Sequence, residues 1–171
     1  LNSNDPSANF VSISDSQTTD SFTGENVSGI KLKAPGGSSV VTPATTLLVE
    51  IKKSSPSISN SEVANALGLS GVDITSFNPF AAGVDQNLAL VSEKVANQII
   101  STVSTISAAA EGTGANKDVA FDKAVGAVSS AVINEINDGN NSDSLSLSDS
   151  TVLNEIKNNA KSVLINDVTS N

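Results

Sequence analysis

Val40-Val-Thr-Pro-Ala-Thr-Thr-Leu-Leu-Val-Glu-Ile-Lys-Lys53, then Ser54-Ser-Pro56, then Ser59-Asn-Ser-Glu-Val-Ala-Asn-Ala-Leu-Gly-Leu69 holds two complete helix signals in a row. Thr42 is a hydroxyl N-cap, and Pro43 follows at the first helical position, where its missing N–H costs nothing. The predicted helix runs to about Lys53 and buries Leu47, Leu48 and Ile51. Lys52 and Lys53 suit its negative end, and Ser54-Ser55-Pro56 stops it. Ser59 with Glu62 three residues on is a capping box. That box predicts a second helix, Asn60 to Leu67, closed by Gly68 as a left-handed C-cap, with Val63, Ala64 and Leu67 on its apolar face.

The next ten residues, Gly71-Val-Asp-Ile-Thr-Ser-Phe-Asn-Pro-Phe80, read as a loop with buried anchors. Val72, Ile74, Phe77 and Phe80 are too apolar for free solvent, while Asp73 and Asn78 can hold nearby backbone amides. The expectation is a clasp across the helices. Thr42, Pro43, Gly68, Asp73, Phe77 and Pro79 are the residues of this structural junction.

Beyond the junction the chain reads as helix almost to its end. Val84, Leu88, Val91, Val95, Ile99, Val103, Ile106 and Ala110 recur every three or four residues, predicting one long helix over about 85–110. Gly112 and Gly114 end it and Asn116 caps the next, about 117–137, with Phe121, Val125, Val128, Val132 and Ile136 inside. Gly126 and its small neighbours are expected to admit a close helix. After a loop at 138–143, Leu145 and Leu147 dock back, and a last helix spans about 151–168 with Val152, Ile156, Ala160, Val163 and Leu164 apolar.

Before the junction the pattern changes. In Val27-Ser-Gly-Ile-Lys-Leu-Lys-Ala34, Ile30 and Leu32 point one way and Lys31 and Lys33 the other, a half-buried strand. Pro35-Gly-Gly-Ser38 turns the chain and Ser39-Val-Val41 forms a short second strand. Residues 1–26 form a polar arm with four apolar anchors, Phe10, Val11, Ile13 and Phe22, suited to strand pairing on its own domain or on a neighbour. The fold expected is mainly α: an antiparallel helical bundle of three longer and two shorter helices with a small N-terminal β element. Residues 27–171 form the domain and 1–26 its arm.

Composition narrows the function. The chain has 171 residues, enough for one core. The five Phe are its only aromatic residues, so Val, Ile, Leu and Ala must build that core. The net charge of −9 disfavours nucleic acid, which requires clustered cations. It suits an exposed surface in salty surroundings. Without Cys there is neither disulfide nor thiolate site, and without His the commonest general base and zinc ligand are both missing. Residue 1 is not Met, so the chain is expected to be processed or part of something longer. No apolar run reaches the roughly 18 residues of a membrane span.

No catalytic constellation emerges. Ser92-Glu93-Lys94 lacks Ser-x-x-Lys spacing, and Glu50, Glu62, Asp73, Glu93, Glu111, Glu135 and Glu155 fall at caps or on solvated faces. Ala34-Pro-Gly-Gly-Ser-Ser39 is glycine-rich but precedes a strand and lacks the Gly-Lys-Ser/Thr ending of a phosphate loop. Gly112-Thr-Gly114 is a helix end. No cofactor is expected. Calcium is the one ligand left open, with Asp138, Asn140 and Asp143 as oxygen donors in a Gly-containing loop. The EF-hand spacing fails there, with no Gly at the sixth position and no Glu at the twelfth, so an ordinary solvated turn is the preferred reading. The sequons Asn26-Val-Ser28 and Asn140-Asn-Ser142 matter only in a secretory eukaryote.

Three short motifs occur in order: Val-Thr-Pro-Ala-Thr-Thr-Leu-Leu (41–48), Ala-Leu-Gly-Leu (66–69) and Val-Asp-Ile-Thr-Ser-Phe-Asn-Pro (72–79). Together they resemble a module of very large secreted or surface proteins of marine and other Gram-negative bacteria, over about residues 27–80. Asn78 departs from the Asp often found there, which weakens a cation role at that position. The resemblance implies an adhesin-like setting among cadherin-like and calcium-binding repeats, and it carries over no catalytic residue. The function expected is a non-enzymatic, extracellular or cell-surface structural or adhesive module whose partners are neighbouring modules or copies of itself. The alternative is a self-assembling subunit of a filament, S-layer or virion that uses the N-terminal arm for strand exchange. A glycan-binding module comes third, because sugar sites present aromatic platforms and the chain has no Trp or Tyr. Nucleic acid, membrane insertion and a small-molecule substrate are not expected.

Overall fold

Caps set the helix boundaries. The structure, a computed structural model, describes residues 8–19, 28–138 and 144–168, with the side chains of 162–168 excepted. Helix α1 (Pro43–Ser54) starts at Thr42, whose side chain accepts from the Thr45 amide 3.1 Å away, while Thr45 reaches back to the Thr42 amide at 2.8 Å. Helix α2 (Asn60–Ala66) starts at Ser59 with the predicted Glu62 capping box and ends one residue before Leu67, with Gly68 at φ +74. Asp85 caps α3 (Gln86–Gly112) and Asn116 caps α4 (Lys117–Asn137). Helix α5 (Ser150–Val168) follows the docked Leu145 and Leu147, which are 9% and 5% exposed.

These five helices form an antiparallel bundle in which α4 packs against α1, α2, α3 and α5. Its core joins Leu47, Leu48 and Ile51 of α1 to Val63 of α2, Ile99 and Val103 of α3, Val128 and Val132 of α4, and Ile156 of α5. Burying each of the larger aliphatic side chains contributes about 1.5–3 kcal/mol. Close approach to α4 comes from Ala120, Ala124, Ala127 and Ala131, spaced three or four residues apart and all buried. Gly126 does not serve this purpose. It is half-exposed, and a Cβ built there meets nothing within 4 Å.

Two strands complete the fold. β1 (Phe10–Ile13) and β2 (Lys31–Ala34) pair antiparallel, with Phe10 opposite Ala34 and Ile13 opposite Lys31. The arm thus meets its own chain at 10–13. Phe22 lies outside the described residues.

Four local expectations change. Residues 39–41 form no strand, because the Ser39 amide donates to the Thr75 carbonyl at 2.9 Å and ties this stretch to the 71–80 loop. Lys31 and Lys33 do not face open water: both reach Asp122 of α4, at 3.6 and 2.8 Å. Phe80 is not a buried anchor but 75% exposed, and Val91 lies outside the buried stripe of α3, which runs through Val95, Ile99, Val103 and Ala110. In both cases no element among the described residues covers the side chain.

Candidate functional site: a groove between the hairpin and α3

A groove of about 580 Å³ runs between the β1–β2 hairpin, the 40–43 lead into α1, the end of the 71–80 loop and the first half of α3. Ile30 and Leu32 supply one wall, Ala96 and Ile100 of α3 the other, and Leu69 and Phe77 line it from the clasp side. Ile13 and Phe80 line it too while remaining 67% and 75% exposed, so they form its rim.

Three hydrogen-bonded devices hold these walls. The first joins β2 to α1. The Lys33 amide donates to Thr46 Oγ1 at 2.9 Å, and Thr45 Oγ1 donates to the Lys33 carbonyl at 2.8 Å. Two helix threonines thereby satisfy the outer edge of a strand. This is why both can be buried within a helix whose interior otherwise disfavours β-branched hydroxyl residues.

The second device is the clasp. The Asp73 carboxylate accepts from the Thr75 amide at 3.0 Å, Thr75 Oγ1 at 2.6 Å and Ser76 Oγ at 2.8 Å. The Thr75 and Ser76 hydroxyls, with the Thr75 amide, hold its carboxyl below the ordinary value. The Phe77 amide donates to the Asp73 carbonyl at 2.8 Å, and Asn78 Oδ1 accepts from the Phe80 amide at 3.0 Å. These turns set Phe77 half-buried in the groove and leave Phe80 at its lip.

The third device is ionic. Asp122 sits between Lys31 and Lys33. Burial pushes its carboxyl up, but the Lys33 hydrogen bond and the charges of both lysines outweigh burial and hold it below 3.8. The bundle thus holds β2 from two helices, α1 and α4.

Of the residues singled out in the sequence, Thr42, Pro43, Phe77, Pro79 and Ile13 come together in the groove lining. Gly68 and Asp73 serve turns beside it. A Cβ at Gly68 would lie 3.1 Å from Ser144 Oγ on a backbone already at positive φ, which is why glycine stands there. Phe10 is half-buried and Val11 is 53% exposed, neither lining the groove. Asp138 is the C-cap of α4, its amide donating to the Asn134 carbonyl at 2.9 Å. Asn140 and Asp143 lie outside the described residues. Among the described residues no three His, Cys, Asp or Glu side chains cluster as a metal site would require.

Sequence reasoning missed the second face of α3. Glu93, Ala96, Asn97 and Ile100 all line the groove. Their spacing of three, four and seven residues is itself a helical stripe, adjacent to the core stripe and readable beside it. Among the described residues, Glu93 is the one ionisable side chain in the lining. No helix among the described residues is long and apolar enough to cross a membrane. No family model, curated protein or solved structure matches the chain.

Proposed function

We propose that this chain is a non-enzymatic structural or adhesive module of a larger bacterial surface or secreted protein, and that it works by contact with neighbouring modules or copies of itself. The groove lining carries this reading. General acid–base catalysis requires a proton donor and acceptor at matched pKa, and a nucleophile requires a base within hydrogen-bond reach. Among the described residues the groove offers one carboxylate, Glu93, with aliphatic, hydroxyl and amide side chains around it. Such a lining suits desolvation and shape contact rather than turnover. The net charge of −9, the absence of Cys and the motif order over 41–79 support an extracellular or cell-surface setting.

Labelling intact cells of the source organism with a membrane-impermeant amine reagent tests the setting. The nine basic residues are all lysines, and several, Lys53 among them, are exposed. Labelling of the chain without permeabilisation is expected; labelling only after lysis would overturn the reading.

A second reading is a self-assembling subunit of a filament, S-layer or virion that exchanges its arm. One observation favours it: Val11, Ser12 and Ile13 of β1 are all exposed, so backbone bonds to β2 rather than side-chain burial hold the strand.

A further inference from the structure

Among the described residues, strand β1 is bonded along one of its two edges. The Ser14 amide donates to the Ile30 carbonyl at 2.9 Å, in register with Ser12 opposite Leu32 and Phe10 opposite Ala34. In an antiparallel pair alternate residues exchange bonds with the partner strand. Phe10, Ser12 and Ser14 therefore aim their backbone groups at β2, and Val11 and Ile13 aim theirs away. β2 obeys the same alternation independently: the backbone of Lys33 aims away from β1 and is met by Thr45 and Thr46. Among the described residues nothing plays the part of those threonines for β1, and the sheet has two strands.

Natural proteins protect such edges with charge, proline or a bulge. Phe10-Val-Ser-Ile13 carries none of these, in a chain of net charge −9. Its two outward residues are also the ones with exposed aliphatic side chains, Val11 at 53% and Ile13 at 67%.

We propose that a second copy of this chain adds its β1 to this edge, antiparallel, about a two-fold axis through Ser12, giving one four-stranded sheet across the pair. The inference deepens the contact reading above, on which it rests, by naming the partner. Self-complementarity selects the occupant. With Ser12 opposite Ser12, Val11 of each copy faces Ile13 of the other, and every outward amide and carbonyl of the two strands finds a mate. A shift of one residue sets outward groups against inward ones. A shift of two keeps the bonding phase but places Ile13 against Asn9 or Val11 against Asp15. A shift of two leaves one aliphatic pair, Val11 on Val11 or Ile13 on Ile13; the central register alone gives both residues of each copy an aliphatic partner, with four such side chains gathered on one face.

The charges agree with this choice. Lys33 and Lys31 are the cross-strand neighbours of Val11 and Ile13, and two lysines stand there against the single carboxylate of Asp122. Two acidic molecules thus approach each other beside a pair of lysines.

Sedimentation equilibrium of the full chain over a wide concentration range tests the proposal, with Val11→Pro and Ile13→Lys beside wild type. Val11→Pro removes only an outward-facing N–H, a position where an edge strand tolerates proline, and Ile13→Lys places charge on the open face. The expected result is a concentration-dependent dimer of wild type, with dissociation constants raised at least tenfold in both variants and unchanged far-ultraviolet circular dichroism. A wild type that stays monomeric to millimolar concentration overturns the proposal. So does an oligomer that both variants leave intact. If Val11→Pro disturbs the hairpin, Ile13→Lys decides alone. The outcome is independent of surface labelling, so failure here leaves the cellular setting standing, and the reverse also holds.

Discussion

Helix α1 and strand β1 grip the same strand from opposite edges, and they do so by different physics. α1 meets β2 with two buried hydroxyls and seven buried residues of its twelve, held also by α2, α3 and α4. β1 meets β2 with a four-residue ladder and three exposed side chains. One partner is fixed by packing and could not leave without opening the core. The other is fixed by backbone bonds whose net contribution is modest. The comparison teaches that β2 marks a boundary: what lies beyond it toward the bundle is scaffold, and what lies beyond it toward β1 is the part of the fold free to make new contacts.

Breaking the scaffold side should cost most. Leu48→Ala removes a side chain with no exposure from the α1 core and is expected to lower unfolding free energy by about 2–5 kcal/mol, read by urea denaturation. Thr45→Val keeps the shape but strips the hydroxyl that serves both the Lys33 carbonyl and the Thr42 amide. Leaving the Thr42 amide unpaired and the Lys33 carbonyl with only the longer 3.3 Å bond from Thr46 Oγ1 should cost about 1–3 kcal/mol by the same measurement.

The ionic strap comes next. The Asp122 carboxyl is held below its unfolded value of about 3.8, so its contribution is present above that pH and is lost as pH falls through the depressed folded value. The pair is partly exposed, and Asp122→Asn should cost under about 1 kcal/mol at pH 7. In thermal melts the variant should lose less Tm than wild type between pH 7 and pH 3. An equal loss would place the pH sensitivity elsewhere, among carboxylates such as Asp73 and Glu62, which are held low by their hydroxyl and amide donors. On the arm side, Ile13→Ala removes an exposed side chain and should change the stability of the dilute chain by no more than about 0.5 kcal/mol.

The two sides also differ in how far they could be read from residues alone. Thr42-Pro43, Ser59 with Glu62, Asn116 and the aliphatic stripes of α3 and α4 announce helices locally, because a cap and a periodicity act within a few residues. The fold class followed from those signals. What binds β2 was not legible, because Lys33 and Asp122 lie 89 residues apart. Nothing at Thr45 or Thr46 states that their hydroxyls will finish a strand rather than only cap a helix. Phe80 misled for a related reason: apolarity argues burial, and only the course of the neighbouring segments decides whether anything covers it. The groove is likewise a product of such placements. It joins residues from 12 to 100, drawn from stretches that only the fold brings together.

The claim on which the account turns is that β1 has an open edge that a second copy can fill. Residue-resolved amide hydrogen exchange at increasing protein concentration tests it most directly. In dilute solution the Ser12, Ser14 and Lys33 amides should be protected while Val11 and Ile13 exchange like unprotected peptide. On concentration Val11 and Ile13 should gain protection together, with Lys33 unchanged. Protection of Val11 and Ile13 already in the dilute monomer, or exchange there that never responds to concentration, would contradict the account.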